Sequence, residues 1–366
     1  MKVMTIVGTR PELVKLSRTI PRFDELFDHR WIHTGQNWSP NLRDVFLEEL
    51  GVRRPDAQGT VSDASPAVHI AEMLSFVDSQ IESWTPDAVL VLGDTNSALT
   101  AYAARRRGVP VFHVEAGNRC FDDRTPEELN RRIIDHLSDV NMTYTEHARH
   151  HLMREGIRPD RIFVVGSPHR EVVEHHLAAI VARGSARRLG LTDGRYLLAS
   201  LHREENVDDA ARRQHLMSSL DRAGAELDCD VILLAHPRTR AVLNTAGVVG
   251  RIRMIDSLGM IDFLSLARSA RCVVSDSGTL TEEAAILEFP AVTLRRSHER
   301  PEGMDVGVLA MAEPHGLTEA IHRVVAARAV VTPRVDAYLP TDVSWRIANI
   351  VGSYAAQVLS DHRTTT

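Results

Sequence analysis

Along the first half of the chain, short runs of consecutive apolar residues alternate with longer stretches whose apolar positions recur every three or four residues. The runs are Val3–Val7, Trp31–Thr34, Ala88–Leu92, Val109–Val114 and Ile162–Val165, and the amphipathic stretches include Val68–Trp84 and Asn130–Asp139. A strand that reads as unbroken Val, Ile and Leu is buried on both faces, and helices between such strands are the crossovers of a parallel sheet. The pattern predicts successive βαβ units. It closes on Gly166-Ser167-Pro168, and turn-rich segments follow at Arg183-Gly184-Ser185 and Thr192–Arg195. It then restarts with Tyr196–Leu201, Val231–Ala235, Arg251–Ile255, Cys272–Ser275 and Ala291–Leu294. The expectation is an α/β protein of two Rossmann-like, doubly wound domains with a seam near residue 168. By residue pattern alone the last helical stretch, Ser344–Leu359, fits against either domain. Ligands of such sheets sit at the carboxyl ends of the strands, so two facing domains would hold a ligand in the cleft between them.

Composition narrows the class. A length of 366 residues suits two domains, and 25% charged against 43% hydrophobic residues is the balance of an ordinary globular protein. The net charge of −6 lacks the positive field that non-specific nucleic-acid binding relies on, and no nucleic-acid partner is expected. The three cysteines, Cys120, Cys229 and Cys272, are far apart and make neither a disulfide framework nor a metal knuckle. No apolar stretch approaches the roughly 20 residues of a membrane span, and no signal-peptide pattern opens the chain, so a cytoplasmic protein without a membrane partner is expected. His147, His150 and His151 at helical spacing lack a metal signature and read as a solvated face.

Candidate chemistry sits at strand ends. Gly8-Thr9-Arg10-Pro11-Glu12 follows the first strand: Gly allows a tight turn, Pro suits the first helical position, and Arg10 offers a fork for phosphate. It lacks the G-x-G-x-x-G of a dinucleotide fold. Ser275–Thr279 ends a later strand, with Ser277 and Thr279 as hydroxyls at a helix start and Glu283 one turn inside, within reach of a ribose diol. The same residues also fit plain helix capping beside a favourable dipole. Asp94, Glu115 and Glu127 lie at or just after strand ends of the first domain, where a cleft can tune carboxylates for proton transfer. His202 closes the strand Tyr196–Leu201; His236 closes Val231–Ala235 and its role stays open.

Together these segments resemble the non-hydrolysing UDP-N-acetylglucosamine 2-epimerases. The likeness runs in order through Gly8–Glu12, His33–Gln36, Gly93-Asp94-Thr95, His113–Gly117 and Pro126-Glu127-Glu128 with Asn130-Arg131. It continues through His202–Glu205, Asp276-Ser277-Gly278, Glu282-Glu283-Ala284 and Glu299–Glu302. The resemblance implies a glycosyltransferase-B-type fold, with domains 1–168 and 169–344 and the C-terminal helix 345–366 returning to the first. It implies UDP contacts at Arg10, Phe263, Ser277, Gly278, Thr279, Glu283 and Arg300, and sugar or catalytic roles for Lys15, Asp94, Glu115, Glu127, Arg131 and His202. The implied reaction eliminates UDP from carbon 1 while a base takes the carbon 2 proton; the resulting 2-acetamidoglycal is reprotonated on its other face as UDP returns. That needs acid–base groups and a stabilised diphosphate, but neither metal nor nicotinamide. A homodimer is implied as well.

Four segments depart from the commonest family form. Thr279 stands where a second glycine is usual. Gln36–Pro40 lacks the pattern with which bacterial members hold a second, activating UDP-GlcNAc. Asn118–Asp122, Ser277–Thr279 and His298–Gly303 look more like the branch that converts UDP-6-deoxy-N-acetyl-L-talosamine to UDP-N-acetyl-L-fucosamine. A UDP-sugar-dependent glycosyltransferase of the same fold is the competing class, and the three first-domain carboxylates count against it.

Overall fold

The computed structural model describes residues 1–36, 46–62, 64–235, 240 and 250–364; Asn37–Pro40 and His236 lie outside them. The chain divides into two compact units, Met1–Val172 with Ala337–Thr366, and Val173–Asp336.

The first unit is built on seven parallel strands: β1 (Lys2–Val7), β2 (Asp28–His33), β3 (Ala57–Gln58), β4 (Ala88–Leu92), β5 (Val111–Val114), β6 (Val140–Thr143) and β7 (Ile162–Val164). Their order is β3-β2-β1-β4-β5-β6-β7, so the winding reverses between β1 and β4. Val89, Val91 and Val111 from the sheet pack on Val77, Ile81 and Trp84 of the helix Pro66–Trp84, and on Ala101 and Ala104 of the helix Ala101–Arg106. The alanines let that helix approach the strands closely.

The C-terminal helix Val343–Thr364 belongs to this unit and lies against the helix Thr19–Leu26. Glu171 accepts both the Ser344 amide, at 2.8 Å, and its hydroxyl, while Arg346 Nη1 donates to the Val165 carbonyl at 3.1 Å. The chain leaves the first unit inside the helix His169–Arg183 and re-enters it at Ala337, whose carbonyl accepts the Ser167 amide at 2.9 Å. The return therefore precedes residue 345, because the segment before the last helix is already bonded to the first unit.

The second unit has six parallel strands: β8 (Tyr196–Ser200), β9 (Asp230–Ala235), β10 (Ile252–Asp256), β11 (Cys272–Ser275), β12 (Ala291–Thr293) and β13 (Leu309–Met311). Their order, β10-β9-β8-β11-β12-β13, reverses between β8 and β11. Its core joins Leu197, Leu233, Val274 and Val292 of the sheet to Leu216 and Leu220 of the helix Ala210–Glu226 and to Ile321 of the helix Leu317–Arg328. Both sheets are doubly wound, as their apolar runs predict. The runs missed β3, β6 and β13: β6 alternates Val140 and Met142 with the polar Asn141 and Thr143, and β3 and β13 have only two and three residues.

Candidate active site

The turn after β1 is the densest feature of the first unit. A Cβ on Gly8 would lie 1.6 Å from Ser97 Oγ, so only glycine lets the turn meet the segment beyond β4. Glu12, in the first turn of the helix Arg10–Leu16, reaches back so that its Oε2 accepts the Gly8 and Thr9 amides at 2.6 and 2.9 Å. Its Oε1 accepts the Thr95 hydroxyl. Burial lifts the Glu12 carboxyl to about 7 against the pull of those donors. One turn on, buried Lys15 pairs with Glu115. Arg10 is half-buried, its guanidinium 4.5 Å from the Phe46 ring centre, and desolvation lowers its pKa.

Asp94 and Glu115 end the neighbouring strands β4 and β5. Arg131 Nε and Nη2 both donate to Asp94 Oδ2, at 2.9 and 2.5 Å, and Asn130 Nδ2 donates to the Asp94 carbonyl at 3.0 Å. Glu115 takes Lys15 and the Tyr144 hydroxyl (3.1 Å) on Oε2 and Asn118 Nδ2 (3.5 Å) on Oε1. Its φ of +70° places it in the left-handed region that a side chain with a Cβ rarely adopts.

Helix Pro126–Leu137 separates two adjacent glutamates. Glu128 is buried and accepts the Cys120 and Phe121 amides at 3.0 and 3.3 Å, Arg131 Nη1 at 3.1 Å and Arg132 Nη2 at 2.9 Å. Burial pushes its carboxyl up, but the Cys120 amide and the Arg131 charge outweigh it and hold it below the ordinary value. Glu127 is only half-buried and has no polar partner among the described residues. It stands one turn before Arg131, on the same helix face.

In the second unit the loops after β8 and β11 meet across the reversal point. Asp276, fully buried, accepts the His202 and Arg203 amides at 3.1 Å each and Asn206 Nδ2 at 3.0 Å, with His202 Nδ1 2.9 Å from Oδ1. Burial raises its carboxyl, and these donors more than reverse the shift. The His202 side chain stays half exposed, with the ring anchored through Nδ1. Ser277 Oγ and Thr279 Oγ1 are 3.0 Å apart, and Thr279 Oγ1 donates to Glu283 Oε1 at 2.9 Å, at the start of the helix Leu280–Leu287. Arg300 Nε donates to the Gly278 carbonyl at 2.9 Å, and its Nη2 lies 3.0 Å from buried Glu282. Thr279 thus links Ser277 to Glu283 through its hydroxyl.

Within the first unit the structure joins Lys15 to Glu115 and Asp94 to Arg131. Within the second it joins Ser277, Thr279 and Glu283, and Gly278 with Arg300. Phe263, on the helix Met260–Ser269, packs in a cluster with Val173, Ile180 and Leu264 that also holds Ile286 and Leu287 of the helix Leu280–Leu287. The sequence motifs include Glu12, Glu128 and Asp276 without giving them a role, and Tyr144 lies outside every motif. The Thr9-x-x-Glu12 spacing is a capping-box signal that points to the first of them.

A family model described as UDP-N-acetylglucosamine 2-epimerase matches residues 22–352. The UDP-N-acetylglucosamine 2-epimerase of Methanococcus maripaludis is 34% identical over 338 residues, 88% of this chain and 92% of its own. Among solved structures, the UDP-N-acetylglucosamine 2-epimerase from Rickettsia bellii superposes with a TM-score of 0.90 at 41% identity, covering 98% of both chains. The Methanocaldococcus jannaschii UDP-GlcNAc 2-epimerase in complex with UDP-GlcNAc and UDP gives 0.88 at 32% identity, over 96% of this chain and all 100% of that one. With the doubly wound sheets and the strand-end residues already in place, these matches show that the chain belongs to the UDP-N-acetylglucosamine 2-epimerase family.

Proposed function

We propose that the chain interconverts UDP-GlcNAc and UDP-ManNAc by eliminating UDP to a 2-acetamidoglycal and adding it back after reprotonation at carbon 2. Carbon 2 of an N-acetylhexosamine has no carbonyl attached to it, so its proton is not acidic enough for direct removal and return. Departure of UDP as the proton leaves solves this, and it demands proton-handling groups held firmly in place. The observation that carries the reading is the pair of gripped carboxylates on adjacent strand ends, Asp94 under Arg131 and Glu115 under Lys15 and Tyr144. In this scheme Asp94, Glu115 and Glu127 share the proton transfers. Glu127 keeps side-chain freedom, and Arg131, one turn away, anchors Asp94.

The UDP leaving group falls to cations and helix-end donors. The start of the helix Leu280–Leu287, with Ser277, Gly278 and Thr279, suits a diphosphate, and Glu283 suits the ribose diol. Arg10, Arg300 and His202 supply donors for developing negative charge, and Phe263 an apolar face for the uracil ring. No metal or nicotinamide enters the scheme. Among the described residues no helix is long and apolar enough to cross a membrane; a UDP-sugar is the proposed partner, and the proposed working form is a homodimer. The relatives named above carry UDP-N-acetylglucosamine in their names, which favours that sugar over the L-fucosamine-forming substrate.

Incubation with UDP-GlcNAc in heavy water, followed by NMR, tests the reading. Deuterium is expected to enter carbon 2 as UDP-ManNAc appears. Asp94→Asn and Glu115→Gln are each expected to abolish exchange while UDP still binds. Absence of exchange in the unmodified enzyme, or glycosylation of an acceptor instead, overturns it.

A further inference from the structure

Under the Glu115 loop lies a carboxylate to which the reaction scheme gives no task. Asp135, on the helix Pro126–Leu137, is fully buried. Both of its oxygens sit 3.2 Å from the Gly117 amide, which donates to them. Oδ2 is 2.7 Å from Arg119 Nη1, and Oδ1 is 3.0 Å from His113 Nδ1, close but not aligned as a hydrogen bond. Arg119 is buried too; its Nη1 also donates to the Asn118 carbonyl at 2.7 Å, while Nε and Nη2 grip Glu155 at 2.8 and 2.5 Å. His113, buried in β5, turns its other nitrogen to the Gly93 carbonyl at 2.8 Å. A carbonyl oxygen only accepts, so Nε2 carries the hydrogen there.

The loop held in this way is conformationally costly. Glu115 and Gly117 have φ of +70° and +79°. A left-handed non-glycine residue persists only where its surroundings over-determine it. Gly117 is also pinned from the far side, since a Cβ there would meet the Ala148 carbonyl oxygen at 2.4 Å.

We propose that Asp135 is a positioning residue for this reaction. By tying the Gly117 amide and Arg119 to one buried carboxylate, it keeps Glu115 in its left-handed backbone state. His113, in the strand that leads into the same loop, donates to the carbonyl of Gly93, the residue before Asp94. The inference rests on the roles proposed for Glu115 and Asp94. It adds that their placement is set from below, by a group that never touches substrate.

Asp135→Asn tests it, because the Arg119 guanidinium loses its anionic partner and one of the two oxygens that take the Gly117 amide becomes an N–H group. The rate of deuterium entry at carbon 2, measured at saturating UDP-GlcNAc, is expected to fall about 100-fold, the effect of roughly 1 Å of misplacement. KM is expected to change by less than ~3-fold, because the lost interaction acts on the chemical step rather than on uniform binding. A folded Asp135→Asn protein with the wild-type rate overturns the proposal, whatever its melting temperature. Glu115→Gln measured in parallel separates the two layers: wild-type exchange in that variant means that the role of Glu115 has failed, not the inference about Asp135. If Asp135→Asn does not fold, amide hydrogen exchange on the unmodified protein decides. The Gly117 amide is expected to exchange at least ~100-fold more slowly than a free peptide, and an unprotected Gly117 overturns the proposal.

Discussion

Glu12 offers a quantitative test of how the first unit is held at its reversal point. The carboxylate is completely buried, and all three of its donors come from the loops after β1 and β4: the Gly8 and Thr9 amides and the Thr95 hydroxyl. Burial dominates and carries its carboxyl from the ordinary 4.5 to about 7, with the nearby Asp94 charge adding to the rise. The folded protein therefore keeps a proton that the unfolded chain has already released. Glu12's stability contribution is complete below 4.5 and is lost as pH rises through about 7. The loss totals about 3 kcal/mol at ~1.4 kcal/mol per tenfold change in proton affinity, of which roughly 2–3 kcal/mol falls between pH 5 and 8. His33 acts in the opposite direction. Burial presses its pKa down to about 4, so its contribution grows as pH rises from there towards 6.5. The two slopes overlap, and the wild-type profile alone is not diagnostic. The difference from Glu12→Gln is, because glutamine keeps the shape: its oxygen accepts both amides and its NH2 group donates to a Thr95 hydroxyl turned to accept. Urea unfolding followed by tryptophan fluorescence reads the right part of the molecule, since Trp31, Trp84 and Trp345 belong to the first unit and the sequence has no tryptophan in residues 173–336. Relative to wild type, the variant should gain roughly 2–3 kcal/mol between pH 5 and 8. Stability curves that stay parallel over that range refute the reasoning.

Three further outcomes follow from the same geometry. Gly8→Ala puts a methyl 1.6 Å from Ser97 Oγ and 2.6 Å from Thr34 Oγ1 and forces apart the 2.7 Å bond between those hydroxyls. Overpacking plus one hydrogen bond should cost about 2–4 kcal/mol in the fluorescence melt, and an unchanged midpoint contradicts this. Asp276→Ala strips the acceptor from the His202 and Arg203 amides and frees the His202 ring. UDP affinity by titration calorimetry should weaken at least ~10-fold, the worth of one charge-assisted bond, and wild-type affinity removes His202 from the diphosphate site. Arg131→Lys keeps the charge but replaces the two-pronged grip on Asp94 Oδ2 with a single point contact. Carbon 2 exchange should drop about 10-fold or more, the value of one hydrogen bond to a charged group, and a full rate shows that Asp94 does not need the fork.

The fold was legible because parallel strands covered on both faces leave unbroken apolar runs, and the positions of Asp94 and Glu115 followed from the rule that chemistry gathers at strand ends. What spacing does not encode is which side chains close on those carboxylates. Lys15 lies 100 residues from Glu115, and Arg131 lies 37 from Asp94. Their meeting depends on the strand order, which brings β1, β4 and β5 side by side. Glu127 and Glu128 show the same limit at single-residue scale. Both lie in the first turn of one helix, and only the rotation of the helix against the sheet buries one and leaves the other half exposed.

Helix capping and site building, which pull apart as interpretations of a sequence, turn out to be one arrangement in the two units. In the first, the amides just after β1 are taken by Glu12, which also takes Thr95 from the loop after β4. In the second, the amides just after β8 are taken by Asp276, which itself stands in the loop after β11. β1 with β4, and β8 with β11, are the pairs between which each sheet reverses. At each reversal two loops diverge and leave a crevice floored by backbone N–H groups, which cannot be buried unpaired. A carboxylate, with two oxygens, can take several of them at once, and a buried carboxylate needs several donors to stay there. Each need answers the other, so the residue that satisfies the turn also fixes what stands beside it: Asp94 next to Thr95 in one unit, His202 and Ser277 in the other. Truncating either acid to alanine should therefore disturb local stability and ligand chemistry together, whereas a cap confined to its own helix would disturb stability alone.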